Sequence, residues 1–297
     1  MAVCNCQAQG FYRSCQFVTR VVANVAPVVA ATILFVVSAT IAGCATPAQR
    51  AQALARSHGL APLLLRGGRF QHHAFAATRG PAGLLVLFVD GDGLPWIRGG
   101  RQVAADPTPR VPLALELAAA TPASVLYLGR PCYLEVRQPP ECEARLWTAA
   151  RYSPEVVASM SAAAGGYIAE HDFRQVLLVG YSGGGTLAVL MARAVPNVRG
   201  VISIAGNLDP DTWARLHGYL PLDGSLNPSL EPPLPAALKQ WYLVGQRDAI
   251  VPTAASARYL ERIPPERVWS YPRFDHRCCW VDEWPSVFAR VSAEVGP

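Results

Sequence analysis

One short stretch constrains the fold more than any other. The apolar run at residues 176–179 breaks directly into Gly180-Tyr181-Ser182-Gly183-Gly184, and a helical stretch, 186–194, follows at once. A short continuous apolar run bounded by turn residues reads as a strand covered on both faces. A strand that turns through glycines into a helix is one half of a crossover unit, so its neighbours should repeat the pattern. They do. Residues 84–89 form a second run that ends at Asp90-Gly91-Asp92-Gly93, and further runs lie at 124–128, 198–204, 241–244 and 267–271, with a mixed strand at 69–78. Helices are predicted from Ser153-Pro154 to about 170, over 254–262 and over 281–294. The first has Ser as its cap and Pro at the first helical position. Buried strands alternating with helices predict an α/β chain with a mostly parallel central sheet and helices on both faces. The segment 207–235, rich in Pro, Leu and Asn, reads as an excursion over that sheet.

Composition bears on compartment and partners. With 297 residues, 51% hydrophobic and 16% charged, the chain is not disordered. The net charge of +5 comes from scattered arginines with no like-charged block, which argues against a nucleic-acid partner. Arg13 and Arg20 precede an uncharged apolar run, 21–42, that closes as Ile41-Ala42-Gly43-Cys44. A basic flank, an apolar run and a small-residue site describe an export signal. The closing four residues resemble a bacterial lipobox, whose cysteine is lipidated and begins the mature chain. This divides the sequence into a lipoprotein signal peptide (1–43), a tether (44–68) and a catalytic domain (69–297). It places the protein on the bacterial envelope, held by a lipid anchor at Cys44 and facing the periplasm or exterior. The run is also near the roughly 20 residues that span a bilayer, so an uncleaved anchor is the competing reading. Both leave the bulk of the chain beyond the membrane.

An oxidising compartment makes Cys132, Cys142, Cys278 and Cys279 disulfide candidates with three possible connectivities. Cys132 and Cys142 could close a local loop, Cys278 and Cys279 could form a vicinal bridge, and cross-bonds between the two pairs are equally allowed. No CxxC or HxxxH spacing supports a metal site.

The turn at 180–184 matches G-x-S-x-G between a strand and a helix, the context in which that motif exposes a nucleophilic serine. A serine hydroxyl needs a base within hydrogen-bond reach, and the base needs a carboxylate to orient it. In this motif's fold the chain order is Ser, acid, His. Asp248 follows the strand at 241–244, and His276 follows the last strand. His58, His72, His73 and His171 precede Ser182 and break the order, whereas His217 competes from within the excursion. Asp209, Asp211, Asp223 and Asp275 are the alternative acids. The oxyanion donors should be the N–H of Gly183 and an N–H of the loop after the earlier strand, from Asp92 or, next best, Gly91. A carboxylate at Asp92 would be hostile to an oxyanion, so its side chain must turn away or be paired. A simple β-turn is the other reading of this Asp-Gly stretch.

From about Arg69 onward the chain resembles the α/β-hydrolase superfamily. It looks most like bacterial serine hydrolases with a Gly91-Asp92-Gly93 loop, a Gly180-Tyr181-Ser182-Gly183-Gly184-Gly185 elbow and a terminal Asp275-His276-Arg277-Cys278-Cys279-Trp280 string. The resemblance implies the α/β-hydrolase fold and hydrolysis of an ester or thioester through an acyl-serine, without a cofactor. It does not imply a particular substrate, because fold and triad serve many acyl groups; the expected partner is a small-molecule or lipid-like acyl compound. Acyl transfer or peptide cleavage by the same triad, Ser182, Asp248 and His276, is one alternative. A noncatalytic binding lipoprotein on a hydrolase scaffold is the alternative from another class.

Overall fold

A computed structural model describes residues 45–80, 83–135 and 139–296. The expected signal peptide and Cys44 lie outside these residues. Among the described residues no helix is long and apolar enough to cross a membrane.

The first elements are α1 (Pro47–Ser57), β1 (Ala61–Gly67), β2 (Phe70–Ala77), β3 (Leu84–Val89), a two-residue hairpin pair β4 (Trp96–Ile97) and β5 (Gln102–Val103), α2 (Leu113–Ala119) and β6 (Ser124–Leu128). They are followed by α3 (Pro154–Glu170), β7 (Gln175–Tyr181), α4 (Gly183–Met191), β8 (Val198–Ile204), α5 (Pro210–His217), β9 (Lys239–Gly245), α6 (Ala257–Leu260), β10 (Val268–Tyr271) and α7 (Trp280–Val295). Eight strands make one sheet in the order β1-β2-β6-β3-β7-β8-β9-β10. From β6 to β10 every pairing is parallel, whereas β1–β2 and β2–β6 are antiparallel. Helices α1 and α2 contact each other, as do α2 and α7, while α3 packs on α4.

The middles of the central strands are apolar because helices cover both of their faces. Leu85, Val86, Leu87, Phe88 and Val89 are fully buried, as are Val176, Leu178 and Val179 on the neighbouring strand. An alternating strand would leave half of these side chains in water at about 2 kcal/mol each.

Within the expected tether, the 47–58 stretch, which reads as a short helix or tether, holds α1, and β1 follows it. Thr46 caps α1 and forms a capping box with Gln49. Ala48, Ala51 and Ala55 bury its small-residue face. Strand β1 pairs along its whole length with β2. Two further elements depart from expectation. The 254–262 stretch is only partly α-helical, with α6 confined to four residues after a 3-10 turn, and the excursion at 207–235 contains α5. Cys132 is bonded to Cys142 and Cys278 to Cys279, so both bridges are local and neither cross-bond forms.

Candidate active site

Strand β7 lies between β3 and β8 and delivers Ser182 at its C-terminal end. Ser182 takes φ 54° and ψ −124° as the residue before α4. A non-glycine residue in that region is strained and is held only by its surroundings. Three backbone hydrogen bonds hold it. Its N–H donates to the Ile204 carbonyl at the end of β8, and its carbonyl accepts from Gly185 at 2.9 Å and from Asn207 at 3.4 Å. The hydroxyl therefore stands above the sheet, at the N-terminus of a helix, where backbone dipoles favour negative charge.

Two other strand ends bring the partners. Asp248 follows β9, and its side chain is 1% exposed. Its Oδ1 accepts from the N–H groups of Ile250 and Val251, each at 2.8 Å. Its Oδ2 lies 2.7 Å from His276 Nδ1. His276 Nε2 lies 3.0 Å from Ser182 Oγ. The His276 carbonyl in turn accepts from the Tyr181 hydroxyl and from Trp280 Nε1. These contacts fix the ring from both sides and assign the Nδ1 proton to the Asp248 side, leaving Nε2 as an acceptor toward Oγ. Thus Ser182, His276 and Asp248 form one continuous hydrogen-bonded chain.

The loop after β3 packs against the elbow. A Cβ on Gly91 would stand 3.1 Å from Ser182 Cβ and 3.5 Å from its Oγ, so no side chain larger than hydrogen fits there comfortably. The Gly91 N–H already donates to Asp90 Oδ1 at 2.8 Å. By contrast, the N–H groups of Asp92 and Gly183 donate to no group among the described residues.

The Asp92 carboxylate turns away from Ser182 into a cationic cluster. Its Oδ1 accepts from Arg130 at 2.5 Å, and its Oδ2 accepts from Arg151 at 2.9 Å and from the Tyr152 hydroxyl at 2.7 Å. Tyr133 donates to the Asp92 carbonyl at 3.0 Å. A Cβ on Gly183 would collide with Asp92 Oδ1 and the Tyr152 hydroxyl, so the elbow sits directly on this cluster. Burial works against the ionised carboxyl, yet Arg151 and Arg130 outweigh it and hold Asp92 near 2. The side chains of Arg130 and Arg151 are 2% and 5% exposed. Two buried cations against one carboxylate leave a net positive charge beneath the elbow.

A cavity of about 840 Å³ opens beside the serine, lined by Asp90, Leu94, Val111, Tyr181, His276 and Trp280, with the Cys278–Cys279 bridge at its edge. Asp90 differs sharply from Asp92. Burial raises its carboxyl to about 7, against the Gly91 N–H and the Tyr127 hydroxyl that favour the charged form.

The remaining sequence candidates stand elsewhere. His217 Nε2 bonds the Ile250 carbonyl, and Asp209 caps α5. Asp211 accepts from Asn227, Asp223 is exposed, and Asp275 accepts from the N–H groups of Arg277 and Cys278. His72 is buried between the Gly129 carbonyl and Ser159 Oγ, and burial lowers it to about 4. Arg130, Arg151 and Tyr152 had no sequence signal, because their spacing to Asp92 follows no motif, and the upward shift of Asp90 comes from burial that no motif encodes. Among the described residues no group of His, Cys, Asp and Glu could hold a metal ion.

No family model and no curated protein sequence matches the chain. Solved structures do match. An esterase from Pyrococcus furiosus is 13% identical over 86% of this chain and 94% of its own, with a TM-score of 0.53. The esterase LipW from Mycobacterium marinum is 16% identical over 84% and 85%, also at 0.53. A hormone-sensitive lipase from a metagenome library is 15% identical over 85% and 92%, again at 0.53. With the sheet order above, these similarities show that the chain has the α/β-hydrolase fold.

Proposed function

We propose that this chain is a serine hydrolase that cleaves an ester or thioester through an acyl-enzyme on Ser182. One observation carries the reading: the unbroken line of contacts from Asp248 through His276 to Ser182 Oγ, beside an open cavity. In this reading Oγ attacks the acyl carbonyl while His276 Nε2 takes its proton. The carbonyl oxygen becomes an oxyanion, held by the N–H groups of Gly183 and Asp92 and favoured by the positive charge beneath the elbow. His276 then protonates the departing alcohol or thiol as its bond to the acyl carbon breaks. A water molecule repeats the sequence and frees the acid, returning the proton to Oγ. Asp248 holds the ring and stabilises the imidazolium without taking the proton. The chain's own residues supply each of these groups, so the reading calls for no cofactor.

The names of the similar structures, two esterases and a lipase, favour an ester over a peptide. The sequence at 13–44 supports export and attachment to the envelope through Cys44.

A fluorophosphonate probe tests the chemistry directly. Wild type should label and Ser182→Ala should not, and a panel of nitrophenyl esters should show turnover lost in the same variant by about six orders of magnitude. A folded, oxidised wild-type protein that fails to label would reject the reading in favour of a noncatalytic binding protein.

A further inference from the structure

The described chain begins on the face that opens the cavity. Ala45, Thr46, Pro47 and Arg50 line a hollow of about 440 Å³ together with Ile97 and Arg110. Leu94 and Arg110 line both this hollow and the cavity holding His276. Two residues separate the uncharged run 21–42 from Ala45 in the sequence. The β4–β5 hairpin, whose Ile97 lines this hollow, is amphipathic. Trp96 is 39% exposed and Val111 is 54% exposed. Arg98 and Arg101 in the hairpin turn are exposed, as are Arg50 and Arg110 lining the hollow, and Asp106 is the one acid in 45–50 and 94–111. Among the described residues these four arginines form no ion pair, whereas Arg69, Arg145, Arg174 and Arg267 each meet a carboxylate.

We propose that the 94–111 segment docks on the surface of a bilayer containing anionic phospholipid. Tryptophan settles at the headgroup level of a membrane, and exposed arginines beside it are drawn to anionic headgroups. Attachment of the chain just upstream raises the effective concentration of this face at the bilayer, so a weak contact suffices. Docking turns the mouth of the cavity toward the lipid. Resting on the hydrolase reading above, this makes esters resident in the bilayer the substrates that reach Ser182 without first crossing water.

The test uses the full chain reconstituted in phosphatidylcholine vesicles, with or without phosphatidylglycerol, whose acyl chains are brominated to quench tryptophan. The difference in quenching between wild type and Trp96→Phe isolates Trp96. Quenching of Trp96 is expected with phosphatidylglycerol and should fade in neutral vesicles and in high salt. Reversing two charges in Arg98→Glu/Arg101→Glu should weaken docking by at least about twentyfold, from roughly fivefold per basic residue at an anionic surface. Circular dichroism checks that the variants fold. Trp96 left unquenched with phosphatidylglycerol, or quenched equally in neutral vesicles and in the double variant, would overturn the proposal. Turnover of nitrophenyl butyrate by the same samples reads the hydrolase separately. Docking without turnover would sustain this surface and reject the esterase, and turnover with Trp96 unquenched would do the reverse.

Discussion

Asp90 and Asp92 sit two residues apart on one loop, yet their surroundings shift their carboxyls in opposite directions. Asp92 is matched by two guanidinium groups and a tyrosine hydroxyl, and it is held near 2. Removing one member of such a group strands the others, which costs more than the intact group contributes. Asp92→Asn should therefore destabilise the protein by about 3 kcal/mol in urea unfolding, because it leaves two buried cations without a counter-ion. The pH dependence follows from the depressed value. The carboxylate contributes stability above the unfolded pKa near 3.8, and that share is lost as pH falls through the folded value near 2. Wild type should lose roughly 2 kcal/mol more than Asp92→Asn over that acid window. Asp90 behaves in the opposite sense. Its carboxyl is 4% exposed and its value is raised to about 7. The folded state thus favours the neutral form, and its contribution is fully present below 3.8 and is lost as pH rises through 7. Asp90→Asn keeps the shape and cannot ionise. Thermal unfolding should show the variant close to wild type near pH 4 and more stable than wild type at pH 8. A stability difference that does not change with pH would mean that Asp90 is not protonated in the fold.

The elements around this cluster differ in how well they are fastened. Arg130 follows β6, and two residues later Cys132 is bonded to Cys142, closing the loop that also carries Tyr133 over Asp92. Closing a loop of this length restricts the unfolded chain by about 3 kcal/mol in the chain-entropy model. Replacing both cysteines by alanine should lower stability by about that amount and leave fluorophosphonate labelling of Ser182 intact. A double variant that unfolds normally but no longer labels would show that the loop also shapes the surroundings of Ser182. The element level is also where the sequence is legible only in part. Strand β3 and the 176–179 core of β7 were readable because burial on both faces leaves only apolar residues there. Strand β1 is an edge, with Leu64 54% exposed, and its mixed pattern does not separate it from a tether. Helix α2 buries Leu113, Ala114, Leu115, Leu117 and Ala118, so it carries no amphipathic period to detect. The β4–β5 pair is two residues per strand, too short for any period. At the site, Ser182, Asp248 and His276 were legible because chain order and strand ends constrain them. Arg130 and Arg151 were not, because a buried ion cluster is assembled by the tertiary fold from positions with no shared spacing.

At the level of the whole molecule, the strand order explains why these groups meet. From β3 the chain crosses outward to β6 and then returns to β7 on the other side of β3. The order reverses there, and the crossovers on the two sides of that point leave a crevice at the carboxyl ends of the strands. The β3 loop brings Asp90 to Gly93 into it, β7 brings Ser182, and β9 and β10 bring Asp248 and His276. No single element owns the site, so a group that fills the crevice touches segments far apart in sequence. Covalent modification of Ser182 by a fluorophosphonate should therefore slow amide hydrogen exchange at three separated stretches together: 90–94, 181–185 and 275–282. Those stretches line the cavity or flank the serine, and their N–H groups exchange through local openings that an occupant opposes. Strand β1 lies on the far side of β2 and β6 and should exchange at an unchanged rate. Slowing confined to 181–185 would show that the adduct contacts only the elbow. Slowing of all three, with β1 unaffected, would show that the strand reversal, rather than the elbow alone, builds the binding crevice.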